Sequence, residues 1–446
     1  MSDCCTPRRP TGEPTPFERG AAEIATGRRA LLGAAGGAIA FSTAALAGAP
    51  IADAAPGRGR RTAKRAYVLV IDGCLPEEID GGLTPNLKKL RDGGLRFPQA
   101  RSMPVMETIP NHVMMMTGVR PDRTGVPSNT IYDRKLKDVR TIERPSDIKV
   151  DTVIERMGRN GLRTGTVLSK DYLYGVFGGR ATARWEPAPI IPISGHAPDV
   201  FTMRAALAML DDVDPHLMFV NLGDIDRFGH TDVTGGVGIK ALRRIALAST
   251  DALIGQFIGR LKSSGKWQDS IVVVLADHSM DWSLPHRVVS LAGPLDKDPF
   301  LRGKVQIACN GGADLLYWTG PRNQREKAIR RMRAVAERVE GVLVAHDRRE
   351  PELRLGPEAG EVLVYCKAGW RFSDPDPVTD NPIPGNHGHP ATHAIPFFIG
   401  GGHSAVPRRR ASTRTARTID VAPTVASFFG LSGAPRGGWD GVDLLA

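Results

Sequence analysis

Residues 66–73 read AYVLVIDG, six apolar or aromatic positions in a row closed by an acid and a glycine. A short continuous apolar run ending in a turn former predicts a strand buried on both faces, as the interior of a parallel sheet requires. Two later stretches repeat the design. Residues 216–223, HLMFVNLG, run into Asp224-Ile225-Asp226-Arg227-Phe228-Gly229-His230, and residues 270–276, SIVVVLA, run into Asp277-His278. A further strand over 164–169 ends at Lys170, and a late one covers 395–399. Helical patterns lie between them, at 84–90 (Thr84 as cap, Pro85 first), 150–159, 203–210 and 239–263, with a closing helix over 418–429. Strands alternating with helices predict an α/β protein with a mainly parallel central sheet and helices on both faces. Residues 281–385 are less regular, with short strands near 303–318 and 361–366 around a helix over 322–339. They read as a smaller inserted cap-like region.

A chain of 446 residues is long enough for one large α/β domain. Its net charge of +11 suits anionic substrates or surfaces, but no Arg/aromatic motif singles out nucleic acid as a specific partner. The first 54 residues read as a signal peptide. Arg28-Arg29 form a twin-arginine pair, a Gly/Ala-rich apolar stretch follows to about residue 49, and Ala52-Asp53-Ala54 offers a small-x-small cleavage site. The apolar stretch is long enough to span a bilayer, yet it is weakly hydrophobic and the cleavage site follows promptly. The expectation is therefore an exported, secreted chain with no stable membrane span after cleavage, a linker over 55–65, and a catalytic domain over 66–446. Cleavage leaves Cys74, Cys309 and Cys366, which allow at most one disulfide and contain no CxxC for redox or zinc-ribbon chemistry.

Residues 106–118, METIPNHVMMMTG, place Thr108 just before Pro110 and an apolar run. Proline belongs in a first helical turn, so Thr108 sits at or beside a helix N-terminus, where free N–H groups favour negative charge. A hydroxyl there either caps the helix or meets a phosphate. Acids and imidazoles gather at the strand ends: Asp72 after the first strand, Asp226 and His230 after the third, Asp277 and His278 after the fourth, and His387 before the late strand. Three Asp and three His make two mixed N/O ligand sets suited to borderline ions such as zinc. A pair of such ions stabilises the attacking and leaving oxygens of a phosphoryl displacement.

With VIDG (70–73), ETIPNH (107–112), DIDRFGH (224–230), ADH (276–278), NHGH (386–389) and TIDVAPTVASFFGL (418–431) in this order, the chain resembles the alkaline phosphatase superfamily. More narrowly it resembles the nucleotide pyrophosphatase/phosphodiesterase and phosphonoacetate hydrolase branch, from about residue 66 to the end. The resemblance implies an alkaline phosphatase-like fold and two divalent metal ions, zinc by expectation. One would be held by Asp72, Thr108, Asp277 and His278, the other by Asp226, His230 and His387. Asp226 is preferred to Asp224 for its spacing of four from the histidine. His387 is preferred to His389 and His393 because it directly precedes a glycine ahead of a proline-containing strand. The resemblance also implies a phosphothreonyl intermediate on Thr108, with Asn129 and the N–H groups of the helix start on the phosphoryl oxygens.

Two positions depart from the family pattern. Ser279 stands where glycine is usual. Lys170 matches the first of two lysines that phosphonoacetate hydrolases place on the substrate carboxylate, but Tyr172 occupies the second position. Lys170 is thus either a substrate cation or a solvated strand end, and Tyr172 or Trp185 could stack a base or aryl group. Arg123 and Arg227 lie near the motifs in sequence without being placed by them, and the basic stretch 408–417 reads as a solvated loop. The implied function is an exported two-metal phosphoric ester hydrolase of phosphodiesterase/nucleotide pyrophosphatase type, taking a small anionic phosphate ester or phosphonate. The alternatives are a phosphonoacetate hydrolase-like C–P hydrolase, a phosphomonoesterase, or a non-catalytic phosphate-binding protein.

Overall fold

The structure is a computed structural model that describes residues 52–53, 62–188, 190, 195–232, 240–375 and 383–446. The expected signal peptide and linker fall outside these residues except for 52–53 and 62–65. The strands used below are β1 (Arg65–Ile71), β2 (Leu95–Arg96), β3 (Thr164–Leu168), β4 (Ala183–Trp185), β5 (Leu217–Leu222), β6 (Ser270–Leu275), β7 (Val305–Cys309), β8 (Ala313–Trp318), β9 (Val342–Asp347), β10 (Val362–Cys366), β11 (Phe397–Gly401) and β12 (Arg410–Ala411). The helices are α1 (Pro85–Gly93), α2 (Thr108–Thr117), α3 (Val153–Arg159), α4 (Asp171–Phe177), α5 (Asp199–Asp212), α6 (Asp224–Thr231), α7 (Ala241–Ser263), α8 (Arg325–Ala336) and α9 (Val421–Phe428).

One large sheet runs in the order Ala52–Asp53, β4, β3, β5, β1, β6, β11, β2, β12. The five strands from β4 to β6 are parallel, and β11 joins antiparallel to β6. β1 is bonded to β5 on one side and β6 on the other, and every residue from Ala66 to Ile71 is buried. A strand with neighbours at both edges and layers on both faces has no solvent side, which is why its sequence does not alternate. Helices around the sheet pack in two groups, α1, α5 and α6 around α7, and α3, α4 and α9 around α2.

Because β1, β3, β5 and β6 run the same way, their carboxyl ends share one edge, where open α/β sheets place ligands. Val70 is level with both Asn221 and Leu275, so Asp72 emerges beside Gly223 and Asp277. Residues 224–230 are not a loop continuing the strand but the opening turns of α6. That helix sets Asp226 and His230 four residues apart on one face. α2 is buried over all ten residues, because its apolar run leaves no polar stripe. Gly118 ends it at φ 66°, where the Trp439 ring leaves no room for a Cβ.

Within 281–385, β7, β8, β10 and β9 form a four-stranded antiparallel sheet. With α8 it encloses a second core around Leu291, Leu316, Met332 and Phe372. Cys74 and Cys366 are buried free thiols, so no disulfide joins any two of Cys74, Cys309 and Cys366. Arg408, Arg409 and Arg410 are exposed. Among the described residues no helix is long and apolar enough to cross a membrane.

Candidate active site

Thr108 is the first residue of α2, and Glu107 rather than Thr108 holds the capping position. Its hydroxyl is therefore not used up by the helix. Oγ1 lies 3.2 Å from His278 Nε2 and 3.5 Å from Lys170 Nζ, and the residue is buried. Asn111 shapes the approach to it. The Asn111 amide donates to the carbonyls of Met103, Val105 and Glu107 and accepts from Met103 N–H and from Thr418 Oγ1. This ties the turn before the threonine to the closing segment of the chain, a role the sequence reading did not assign.

The half-buried Asn129 docks on the same helix start. Its N–H donates to Glu107 Oε2 at 2.7 Å, and its Oδ1 accepts the Ile109 N–H at 2.8 Å. Burial pushes the Glu107 carboxyl up to about 8. The helix-start N–H expected to meet a phosphoryl oxygen is thus, at Ile109, already committed to Asn129. With Oδ1 engaged, the donor that Asn129 has left to offer is its Nδ2.

Three carboxylates and three imidazoles close round this hydroxyl. Asp72, Asp277 and His278 bring one donor atom each within 4.8 Å of one another, and so do Asp226, His278 and His387. The two sets are therefore not as separate as the sequence divides them. His278 reaches both, because its ring stacks on that of His387 at 3.7 Å. His230 joins through Asp226, with Nε2 3.3 Å from Oδ1.

The tautomers follow from the neighbours. His278 Nδ1 donates to Ser279 O, and His230 Nδ1 donates to Gly385 O, so each presents an Nε2 lone pair to the carboxylates. Acceptors thereby face acceptors: His230 Nε2 meets Asp226 Oδ1, and His278 Nε2 meets Asp277 Oδ2 at 3.5 Å. Asp72 Oδ1, Asp226 Oδ1, Asp277 Oδ2 and His387 Nδ1 are buried without a hydrogen-bond partner. Burial holds His230 down to about 3 and His387 well below its ordinary value, leaving both neutral. Burial, with Asp277 as a second negative neighbour, pushes Asp72 up to about 7. Burial opposes the charge on Asp226, but Lys170 holds it well below the usual carboxylate range. Neutral imidazoles with free lone pairs among under-compensated carboxylates fit divalent cations of the zinc type.

Lys170 is not a solvated strand end. It is fully buried, with Nζ 2.8 Å from Asp72 Oδ2 and 2.7 Å from Asp226 Oδ2. The physical reason is charge: a parallel-sheet edge carrying several buried acids draws in the nearest cation. Asn221 and His112 support the acids. Asn221 Nδ2 reaches Asp72 Oδ2 at 2.9 Å and His112 Nε2 at 3.1 Å, while His112 Nδ1 donates to Thr108 O. An asparagine inside the apolar run HLMFVNLG is the signal that marks such a residue.

Other candidates fall elsewhere. Asp224 accepts from Asp199 N–H and bonds His196, away from the ligand groups. His389 Nε2 bonds Asp281 at 3.0 Å and His393 Nδ1 donates to Pro390 O. Arg123 pairs with Asp440. Trp185 is buried at the end of β4. Ser279 is not among the non-glycine residues with positive φ, so its backbone needs no glycine. Tyr172 is half-buried beside Lys170 and Arg227. Of the three histidines in residues 386–393, only His387 is in a ligand group. His387→Ala is expected to hold less divalent metal than the unaltered chain while His389→Ala holds as much, measured by metal analysis after gel filtration. Loss of metal from the second variant alone would reverse the choice.

Comparison with known proteins gives a consistent result. The family model for type I phosphodiesterase / nucleotide pyrophosphatase matches residues 66–390. A bis(5'-adenosyl)-triphosphatase of Bos taurus is 23% identical over 397 residues, covering 84% of this chain and 80% of the relative. Ectonucleotide pyrophosphatase/phosphodiesterase family member 1 of Homo sapiens is 26% identical over 234 residues, covering 47% of this chain and 23% of the relative. Among solved structures, an inactive murine ectonucleotide pyrophosphatase/phosphodiesterase 5 in complex with AMP superposes with a TM-score of 0.67 at 16% identity, covering 83% of this chain and 96% of that one. Phosphonoacetate hydrolase from Sinorhizobium meliloti 1021 in complex with phosphonoformate superposes with a TM-score of 0.62 at 19% identity, covering 83% and 96%. The fold is thus alkaline phosphatase-like, and the chain belongs to the type I phosphodiesterase/nucleotide pyrophosphatase family, hydrolases of phosphate esters.

Proposed function

We propose that the chain is an exported two-metal phosphoric ester hydrolase of the phosphodiesterase/nucleotide pyrophosphatase type, acting through a phosphothreonyl intermediate on Thr108. The observation that carries this is the buried Thr108 hydroxyl, uncommitted to capping and set against both ligand groups. Asp72, Thr108, Asp277 and His278 would hold one ion, and Asp226, His230 and His387 the other. When bound, such ions supply Lewis acidity and offset charge on the phosphoryl oxygens.

The residues of the chain do the rest. Thr108 gives up its proton to solvent, and the Lys170 ammonium, 3.5 Å away, stabilises the resulting oxyanion. Oγ1 attacks phosphorus in line, forming the Oγ1–P bond as the bond to the leaving oxygen breaks. Asn129 Nδ2 donates to a non-bridging oxygen, its amide held in that sense by the Ile109 N–H. Water then attacks phosphorus, the Oγ1–P bond breaks, and the hydroxyl is restored. The Bos taurus relative's name and the AMP in the murine complex favour a phosphodiester or pyrophosphate linkage as the bond cleaved. Export rests on the twin-arginine segment alone.

The test is a panel of bis(4-nitrophenyl) phosphate, 4-nitrophenyl phosphate and phosphonoacetate, each with and without chelator. Turnover is expected to be fastest on the diester and to vanish with chelation. No chelator-sensitive turnover on any of the three would leave a non-catalytic phosphate binder as the better reading.

A further inference from the structure

Arg227 follows Asp226 in α6 and is only 4% exposed, yet its Nε and Nη2 have no hydrogen-bond partner. Among the described residues no carboxylate lies within ion-pairing distance of it. Arg243, equally buried, shows how this chain normally treats a buried guanidinium. It pairs with both oxygens of Glu78 and donates to the carbonyls of Gly73 and Ile225. A buried cation without an ion-pair or hydrogen-bond partner on that edge is unfavourable, so this one asks for an anion that arrives from outside.

The neighbourhood says where that anion belongs. The Arg227 guanidinium carbon is 5.7 Å from the centre of the Tyr172 ring, within range of a cation–π contact. Lys170 Nζ is 6.0 Å from the same ring centre and 3.5 Å from Thr108 Oγ1. Tyr172 therefore links the cation at the reacting hydroxyl to the cation of Arg227. Nε and Nη2 also share one edge of the guanidinium, the edge that takes two oxygens of a carboxylate or phosphate side by side. We propose that Arg227 recognises a second oxyanion of the substrate, a carboxylate or a further phosphate, carried beyond the phosphoryl group that meets Thr108.

This rests on the phosphoryl site proposed above, and its test separates the two. Binding of methylphosphonate, phosphonoformate and methylenediphosphonate to the zinc-loaded full chain is measured by calorimetry, with zinc content and melting temperature recorded on the same samples. At least one of phosphonoformate and methylenediphosphonate, which carry a second oxyanion group, is expected to bind tenfold or more tightly than methylphosphonate. Which of them does so distinguishes a carboxylate from a phosphate. Arg227→Gln should collapse that ratio towards one, and Arg227→Lys should regain part of it. A ratio near one in the wild type, a ratio unchanged by Arg227→Gln, or an equal loss for all three probes would overturn the assignment. Binding of none of the probes would remove the phosphoryl site itself, and this inference with it.

Discussion

Thr108→Ala is expected to lower kcat on an aryl phosphodiester by at least about 10³-fold, with zinc content and melting temperature close to wild type. The reasoning starts from what the side chain touches. Removing Oγ1 takes away a contact to His278 and one to Lys170, but both partners keep others: His278 Nδ1 stays on Ser279 O, and Lys170 stays between Asp72 and Asp226. α2 also stays, since Glu107 holds its cap position and the helix is locked by Asn111 and by burial of its whole surface. What disappears is the only atom in the arrangement proposed to form a bond to phosphorus. Thr108→Ser, which retains the hydroxyl, should keep a measurable fraction of turnover. Acid quenching during turnover should trap the phosphoryl group, still carrying its second ester, on the wild-type chain and none on the alanine variant. An alanine variant that turned over at wild-type rate with the same metal content would remove Thr108 from the chemistry and point to direct attack by water.

How much of this could be read beforehand depended on whether the signal was local. β1, β5 and β6 announce themselves as apolar runs because central parallel strands have no solvent face to encode. The acids and histidines that follow them are brought together by strand direction alone, so their common edge was predictable from topology. α6 was not, since Asp224-Ile225-Asp226-Arg227-Phe228-Gly229-His230 has too few apolar residues to show a helical period. The spacing of Asp226 and His230 carried the information instead. Lys170 reads in sequence as either a substrate cation or a solvated strand end, and nothing within its own strand decides whether it is buried. The choice is made by Asp72 and Asp226, residues 98 before it and 56 after it in the chain. Asn111 and Asn221 work by satisfying backbone and carboxylate groups that only the folded chain assembles. Their polar character inside apolar runs was visible, but their partners were not.

The second large effect is one of stability, and it concerns the same lysine. Lys170→Met keeps side-chain volume and removes the ammonium that lies between Asp72 and Asp226. Burial opposes the charge on Lys170, but Asp226 and Asp72 outweigh it and hold the group protonated well beyond neutral pH. Removing one member of such a buried arrangement leaves carboxylates without compensation, at a cost of roughly 3–5 kcal/mol. For a domain of this size that corresponds to a fall in melting temperature on the order of 5 °C. The fall is expected in chelated protein. Divalent ions taken up by the same carboxylates would supply the missing positive charge, so zinc should shrink the difference between variant and wild type. Scanning calorimetry of both proteins, each with chelator and with zinc, reads this directly. An equal loss in the two conditions would mean that the lysine is needed alongside the ions. No loss in chelated protein would mean that Lys170 does not compensate Asp72 and Asp226 at all.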